Sequence, residues 1–270
     1  MNKLRLELQN MLDYAKTKNI FVIISLFDGA NGDISQRAID LMWDDSKLQS
    51  YIDNCLKPMA TALKNHPALL AWEIFNEAEG LVYNEESNSE RCYDTNGLKG
   101  SGKYYFYLSS KQVILGAGWT KKYVPMYRIL KMVNKCADAI KSIRGNEIMV
   151  TTSAWSEKSS QDRYNFNYYK DSCVTKAGGK TLGTIDFYQI HTYSSCQCGT
   201  GSWRDEQPMK NTKAGYRLDK PLIIGEFSAA CSARNSISSM YKHFYEVPHI
   251  HRKMLLKCYV CRLIPFSERL

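Results

Sequence analysis

At 270 residues, with 44% hydrophobic and 23% charged residues, the chain has an ordinary globular composition, enough for one large core and unlike a disordered chain. No apolar run reaches the ~18–20 residues of a transmembrane helix, and 16 Gly with 7 Pro exclude collagen-like or linker character. The charge of +9 is dispersed, with pairs such as Lys121-Lys122 and Arg252-Lys253 as the densest groups. It points to no specific nucleic-acid partner.

In chain order, residues 3–18 place Leu4, Leu8, Met11, Leu12 and Ala15 on one face and predict a helix. Residues 20–27 are a nearly continuous β-branched and aromatic run, as in a strand buried on both faces of a parallel sheet. Residues 48–64 predict a helix through Ile52, Cys55, Leu56, Met59 and Leu63, and residues 69–76 a second strand. Residues 100–115 form an apolar, aromatic insert in a polar loop, either a hairpin or a fault in the gene model. A helix over 123–143 follows, then strands at 147–152, 185–191 and 222–227. Alternating strands and helices imply right-handed βαβ units and a parallel sheet.

Nine cysteines occur with no pair of facing CxxC units, so two or three disulfides are expected rather than a structural zinc. Residues 1–7 lack the apolar stretch of a signal peptide, which implies a cytosolic protein or a chain that starts late.

The last four strands end in residues capable of chemistry: Asn76-Glu77, Ser153-Ala154-Trp155, His191-Thr192-Tyr193 and Glu226. No Gly-rich phosphate loop follows any strand, whereas functional groups at several strand C-termini build the site of a (β/α)8 TIM barrel. Glu77 and Glu226 each follow an apolar strand beside Phe75 or Phe227. A buried carboxylate there needs a partner or a shifted pKa, and two facing one cavity suit glycoside hydrolysis.

The segment Trp72-Glu73-Ile74-Phe75-Asn76-Glu77, then His191-Thr192-Tyr193, then Ile224-Gly225-Glu226-Phe227, resembles the ordered motifs of glycoside hydrolase family 5. Residues 41–48, 92–95, 118–120, 171–173 and 218–222 are similar to the endo-β-1,4-mannanases of molluscs and other invertebrates, and the resemblance covers about residues 3–246. It implies retaining cleavage of internal bonds in mannan, with a β-1,4-glucanase or a weak carbohydrate-binding relative as alternatives. Glu77 matches the acid/base, Glu226 the nucleophile, and Asn76, Trp155, His191 and Tyr193 the residues that hold sugar. Trp72 reads as core, while Trp119 and Trp203 sit in loops on the functional side. The resemblance implies no cofactor or metal, no membrane, a monomer and secretion.

Departures accompany it. Ala78 stands where the family carries proline, which would loosen the turn after Glu77. The five visible strands match family strands 3 to 7. An incomplete barrel is therefore expected, lacking strands 1, 2 and 8 with the family's arginine and floor tryptophan. The domain reading is 1–246 as a partial catalytic barrel and 247–270 as a divergent tail. Two exposed parallel edges would make such a chain unstable or poorly active.

Overall fold

The computed structural model describes residues 2–31, 34–83, 86–98, 105–108, 111–114, 117–145, 147–155, 158–160, 162, 165–192 and 218–227. Helix α1 (Asn2–Thr17) buries Leu12 and Ala15. Its C-terminal turn closes through Ile20 N–H donating to the Ala15 carbonyl at 3.0 Å, with Asn19 at φ 53° in the left-handed region, where asparagine is tolerated. Strand β1 (Val22–Asp28) therefore starts later than the apolar run suggests, and Ile20 and Phe21 stay exposed.

The helix expected over residues 48–64 is longer and mixed. Helix α2 (Gln36–Trp43) precedes it, and Asp44, which ends α2, caps α3 (Asp45–Tyr51) by accepting from the Ser46 and Lys47 N–H groups. The chain then runs through a π-helical turn (Ile52–Leu56) into α4 (Lys57–Leu63). Pro58 lies at the start of α4 and has no N–H to donate. The π turn absorbs that defect while the apolar face continues through Leu48, Ile52, Leu56 and Leu63.

Strand β2 (Leu69–Asn76) carries Trp72, which is fully buried, as the sequence predicts. In the insert, β3 (Tyr105–Leu108) pairs antiparallel with β4 (Lys111–Ile114), which is the expected hairpin. Helix α5 (Met126–Lys141) begins after Pro125 and buries the anticipated face of Ile129, Leu130, Val133, Ala137 and Ile140. Strands β5 (Met149–Thr151) and β6 (Ser153–Ala154) are separated by Thr152 alone. Helix α6 (Asp171–Gly178), β7 (Tyr188–Thr192) and β8 (Leu222–Phe227) complete the described elements.

The sheets run β1-β2-β5 and β6-β7-β8, with every pair in both parallel. Since β5 and β6 are one strand broken at Thr152, the five strands follow sequence order, as in a barrel wall. Two apolar clusters occupy the two faces. The larger joins the helices to Trp72 and Ile74, and the smaller gathers Ile23, Ala71, Phe187 and Ile223 on the opposite face. Period-two alternation then puts Glu73, two residues beyond Ala71, on that second face nearer the strand ends.

Cys92 and Cys173 form a disulfide across 81 residues of sequence, tying the loop after β2 to α6. It is the one bridge among the described residues, where Cys55 and Cys136 are unbridged. Cys196, Cys198, Cys231, Cys258 and Cys261 lie outside the described residues, as do Tyr193, Trp203 and residues 247–270. No described helix is long and apolar enough to cross a membrane. Closing a loop of this size stabilises by roughly 4 kcal/mol in the chain-entropy picture. Cys92→Ser is expected to lower unfolding free energy by about 2–4 kcal/mol, read as a shift in denaturant midpoint that reductant reproduces in the wild type.

Candidate active site

Strand β2 delivers Asn76 as its last residue and Glu77 just beyond. Glu77 adopts φ 45°, ψ 54°, the left-handed region, and leads into a 3-10 turn (Ala78–Leu81). A non-glycine residue there costs about 1–3 kcal/mol and persists only where its surroundings hold it. The Glu77 N–H donates to the Ser153 carbonyl at 3.2 Å, and its own carbonyl accepts from Gly80 N–H at 3.0 Å. A Cβ at Gly29 would lie 2.6 Å from Ala78 Cα and from the Glu77 carbonyl oxygen. Only glycine lets the end of β1 pack against this turn.

Asn76 is fixed from two sides. Its Nδ2 donates to Asp28 Oδ1 at 3.0 Å, and its Oδ1 accepts from Ser153 Oγ at 3.3 Å. One amide hydrogen and one lone pair of the side chain remain to meet a sugar hydroxyl.

Across the sheet, β7 and β8 bring His191 opposite Glu226 in register. The His191 side chain is 1% exposed, against 14% for Glu77 and 21% for Glu226. His191 Nδ1 lies 2.6 Å from Glu77 Oε1 and 3.6 Å from Glu226 Oε2. One carboxylate oxygen of each glutamate and one ring nitrogen of His191 all fall within 4.8 Å of one another. Because a carboxylate only accepts, Nδ1 carries the proton whenever Glu77 is ionised. Gly225 makes room for this contact: a Cβ there would stand 2.9 Å from Gln189 Oε1 and 3.0 Å from His191 Nε2. Below, Glu73 is buried and its Oε1 accepts from Gln189 Nε2 at 2.8 Å.

Burial alone would push the His191 imidazolium toward losing its proton. The hydrogen bond to Glu77, then the charges of Glu77, Glu226 and Glu73, outweigh burial and raise its pKa above the ordinary 6.5. A protonated His191 offsets the repulsion between two carboxylates held this close. The same three side chains could offer atoms to a cation, but the 2.6 Å hydrogen bond engages two of them with each other.

Trp155 is placed differently from a simple open platform. It is 5% exposed, its ring packs against Trp119 with centroids 6.3 Å apart, and its indole N–H finds no acceptor among the described residues. Glu79, Tyr169 and Asp28 carry no motif in the sequence, and Ser153 is marked there only as a strand-end residue. Glu79 is 0% exposed, accepts from Tyr169 Oη at 2.5 Å and from Trp155 N–H at 3.1 Å. Nothing local in Asn76-Glu77-Ala78-Glu79-Gly80 distinguishes that glutamate from a solvated one; only Gly80 hints at close packing.

Two partly buried carboxyl groups, one just beyond β2 and one on β8, bridged by a histidine on β7, form the kind of pair that glycosidases use. The family pattern described as cellulase (glycosyl hydrolase family 5) matches residues 2–247, and the chain belongs to glycosyl hydrolase family 5. It is 42% identical over 241 residues to a mannan endo-1,4-beta-mannosidase of Cryptopygus antarcticus, covering 88% of this chain and 58% of the relative. It is 40% identical over 246 residues to a mannan endo-1,4-beta-mannosidase of Mytilus edulis, covering 90% and 62%. The crystal structure of an endo-1,4-beta-mannanase from Eisenia fetida superposes with a TM-score of 0.75 at 39% identity, covering 88% of this chain and 61% of that one. The chain thus spans about three fifths of the length of these relatives, and the fold class they share with it is the (β/α)8 barrel.

Because the folded pKa of His191 lies above the unfolded one, its stabilising contribution is complete below about pH 6.5 and is lost as pH rises through the folded value. The difference in Tm between wild type and His191→Gln is therefore expected to be largest near about pH 6 and to shrink toward about pH 9, measured by thermal scans.

Proposed function

We propose that the chain acts as a retaining glycoside hydrolase that cuts internal β-1,4 bonds of mannan. The observation that carries this reading is the spacing of Glu77, His191 and Glu226, whose contributing atoms lie within 4.8 Å of one another. Retaining enzymes hold their carboxyls ~5–5.5 Å apart, whereas inverting ones need ~6.5–9.5 Å to seat a water between them. The substrate follows from the relatives, two of which are named for mannan.

In the first step a Glu226 oxygen attacks the anomeric carbon while Glu77, protonated, gives its proton to the departing glycosidic oxygen. The C–O bond breaks and a glycosyl ester on Glu226 forms. In the second step Glu77, now a carboxylate, takes a proton from water as the water oxygen attacks the anomeric carbon and releases Glu226. His191, hydrogen-bonded to Glu77 and 3.6 Å from Glu226, faces both carboxyls and steadies the pair through both steps. Asn76, oriented by Asp28 and Ser153, hydrogen-bonds the sugar beside the scissile bond. By its family match Tyr193 is assigned to contact with the nucleophile, and Trp155, with Trp119, to the wall of the sugar site.

No cofactor takes part in this scheme. The Cys92–Cys173 bridge supports an oxidising compartment, and we assign the protein to the extracellular side, acting as a monomer. The family description as cellulase keeps a β-1,4-glucanase as the second reading.

Comparing hydrolysis of mannan with that of carboxymethylcellulose separates the two, with mannan expected to be the better substrate. Proton NMR of the first products is expected to show the β-anomer, and an initial α-product would overturn the retaining assignment. Glu226→Gln and Glu77→Gln are each expected to reduce kcat on mannan by at least about a thousandfold.

A further inference from the structure

The turn after Glu77 holds a buried acid that the reaction does not use. Glu79 collects donors from a distant stretch of chain: Tyr169 Oη donates to Oε1 at 2.5 Å, and Trp155 N–H donates to Oε2 at 3.1 Å. Ser159 adds a side-chain hydrogen bond. The main chain is gripped from another side. The Glu79 carbonyl accepts from Gly118 N–H at 2.8 Å, and the Gly80 carbonyl accepts from Thr120 N–H at 3.0 Å and from Thr120 Oγ1 at 2.6 Å. Gly118 and Thr120 on one side and Trp155, Ser159 and Tyr169 on the other thus clamp the short turn from both flanks.

That clamp has something to hold. Glu77 sits at φ 45°, ψ 54°, a conformation a glutamate leaves when its neighbours allow it. Proline, which would stiffen the next residue, is absent, since Ala78 occupies that position. Relaxation of the turn would carry the Glu77 carboxyl away from His191 and Glu226. Burial raises the Glu79 pKa, and hydrogen bonds, led by Tyr169, offset part of the rise. Burial also pushes the Tyr169 phenol well above its ordinary range, so Tyr169 keeps its proton and remains a donor.

We propose that Glu79 is a positioning residue, whose buried carboxyl, held by Tyr169 and the Trp155 N–H, locks the turn that keeps Glu77 in its proton-donating place. This rests on the reading of Glu77 as the acid.

A misplaced acid slows cleavage only where the leaving group needs a proton. A sugar hydroxyl needs one, whereas dinitrophenolate departs as a stable anion. The test compares kcat/KM on mannohexaose with the pre-steady-state burst of dinitrophenolate from 2,4-dinitrophenyl β-mannobioside, for Glu79→Gln, Tyr169→Phe and Glu77→Ala. Glu79→Gln and Tyr169→Phe are expected to lose about 10- to 100-fold on mannohexaose, with burst rates within about threefold of wild type. Tyr169→Phe removes one hydroxyl and keeps the ring, so it carries the test if Glu79→Gln does not fold. An equal loss on both substrates would mean a purely structural role, and no loss on mannohexaose would mean no role; either overturns the inference. If Glu77→Ala itself loses both activities equally, the assignment of the acid fails and the inference falls with it. The split in Glu77→Ala without the split in the other two overturns the inference alone.

Discussion

Two carboxylates cannot share a half-dry pocket without a donor between them, and the rest of the site is arranged around that constraint. His191 supplies the donor. Its ring nitrogen stands 2.6 Å from Glu77 and 3.6 Å from Glu226, and although burial favours the neutral ring, the hydrogen bond to Glu77 and the surrounding negative charge raise its pKa above the ordinary value. At an effective dielectric near 20, like unit charges ~5 Å apart repel by roughly 3 kcal/mol. An imidazolium beside both returns a comparable attraction. The histidine thus lets one wall of the sheet present two acids at a spacing that neither could tolerate alone.

The backbone then has to bring that donor into place without crowding. β7 lies between β6 and β8, and a Cβ at Gly225 would meet Gln189 and His191 on the neighbouring strand. At the end of β1, Gly29 performs the matching service for the turn beyond Glu77. Both glycines sit where chains pass too closely for any side chain, and both serve the carboxyl pair rather than the core. The apolar core does the complementary work from the helix side. Trp72 and Ile74, fully buried on β2, hold that strand rigidly enough for its last residues to be aimed.

Much of this is legible in the amino-acid sequence alone. Apolar runs marked the five parallel strands, because a strand covered on both faces has little choice of composition. The faces of α1 and α5 followed from helical spacing, and Glu77, His191 and Glu226 stood out as polar residues closing apolar runs. What escaped notice depended on distant partners. Glu79 belongs to an acidic, turn-like stretch, and the phenol that donates to it, Tyr169, is 90 residues away. The π turn at Ile52–Leu56 hid within continuous apolar periodicity, with Pro58 as its one local sign. Ile20 and Phe21 have strand composition but lie in and just after the turn that ends α1, so they remain exposed.

The disulfide between Cys92 and Cys173 encloses the β3–β4 hairpin, α5 and the broken strand β5/β6. Within that ring, Trp119 anchors the returning chain by donating its indole N–H to the Ala30 carbonyl at 3.0 Å. The hairpin is therefore an excursion between two fixed points. Lengthening such an excursion costs only the logarithm of its size, about 0.6 kcal/mol for each doubling. Sequence can accumulate there with little consequence for the carboxyl pair, which makes the hairpin a natural place for variation among relatives and for grafting foreign peptide.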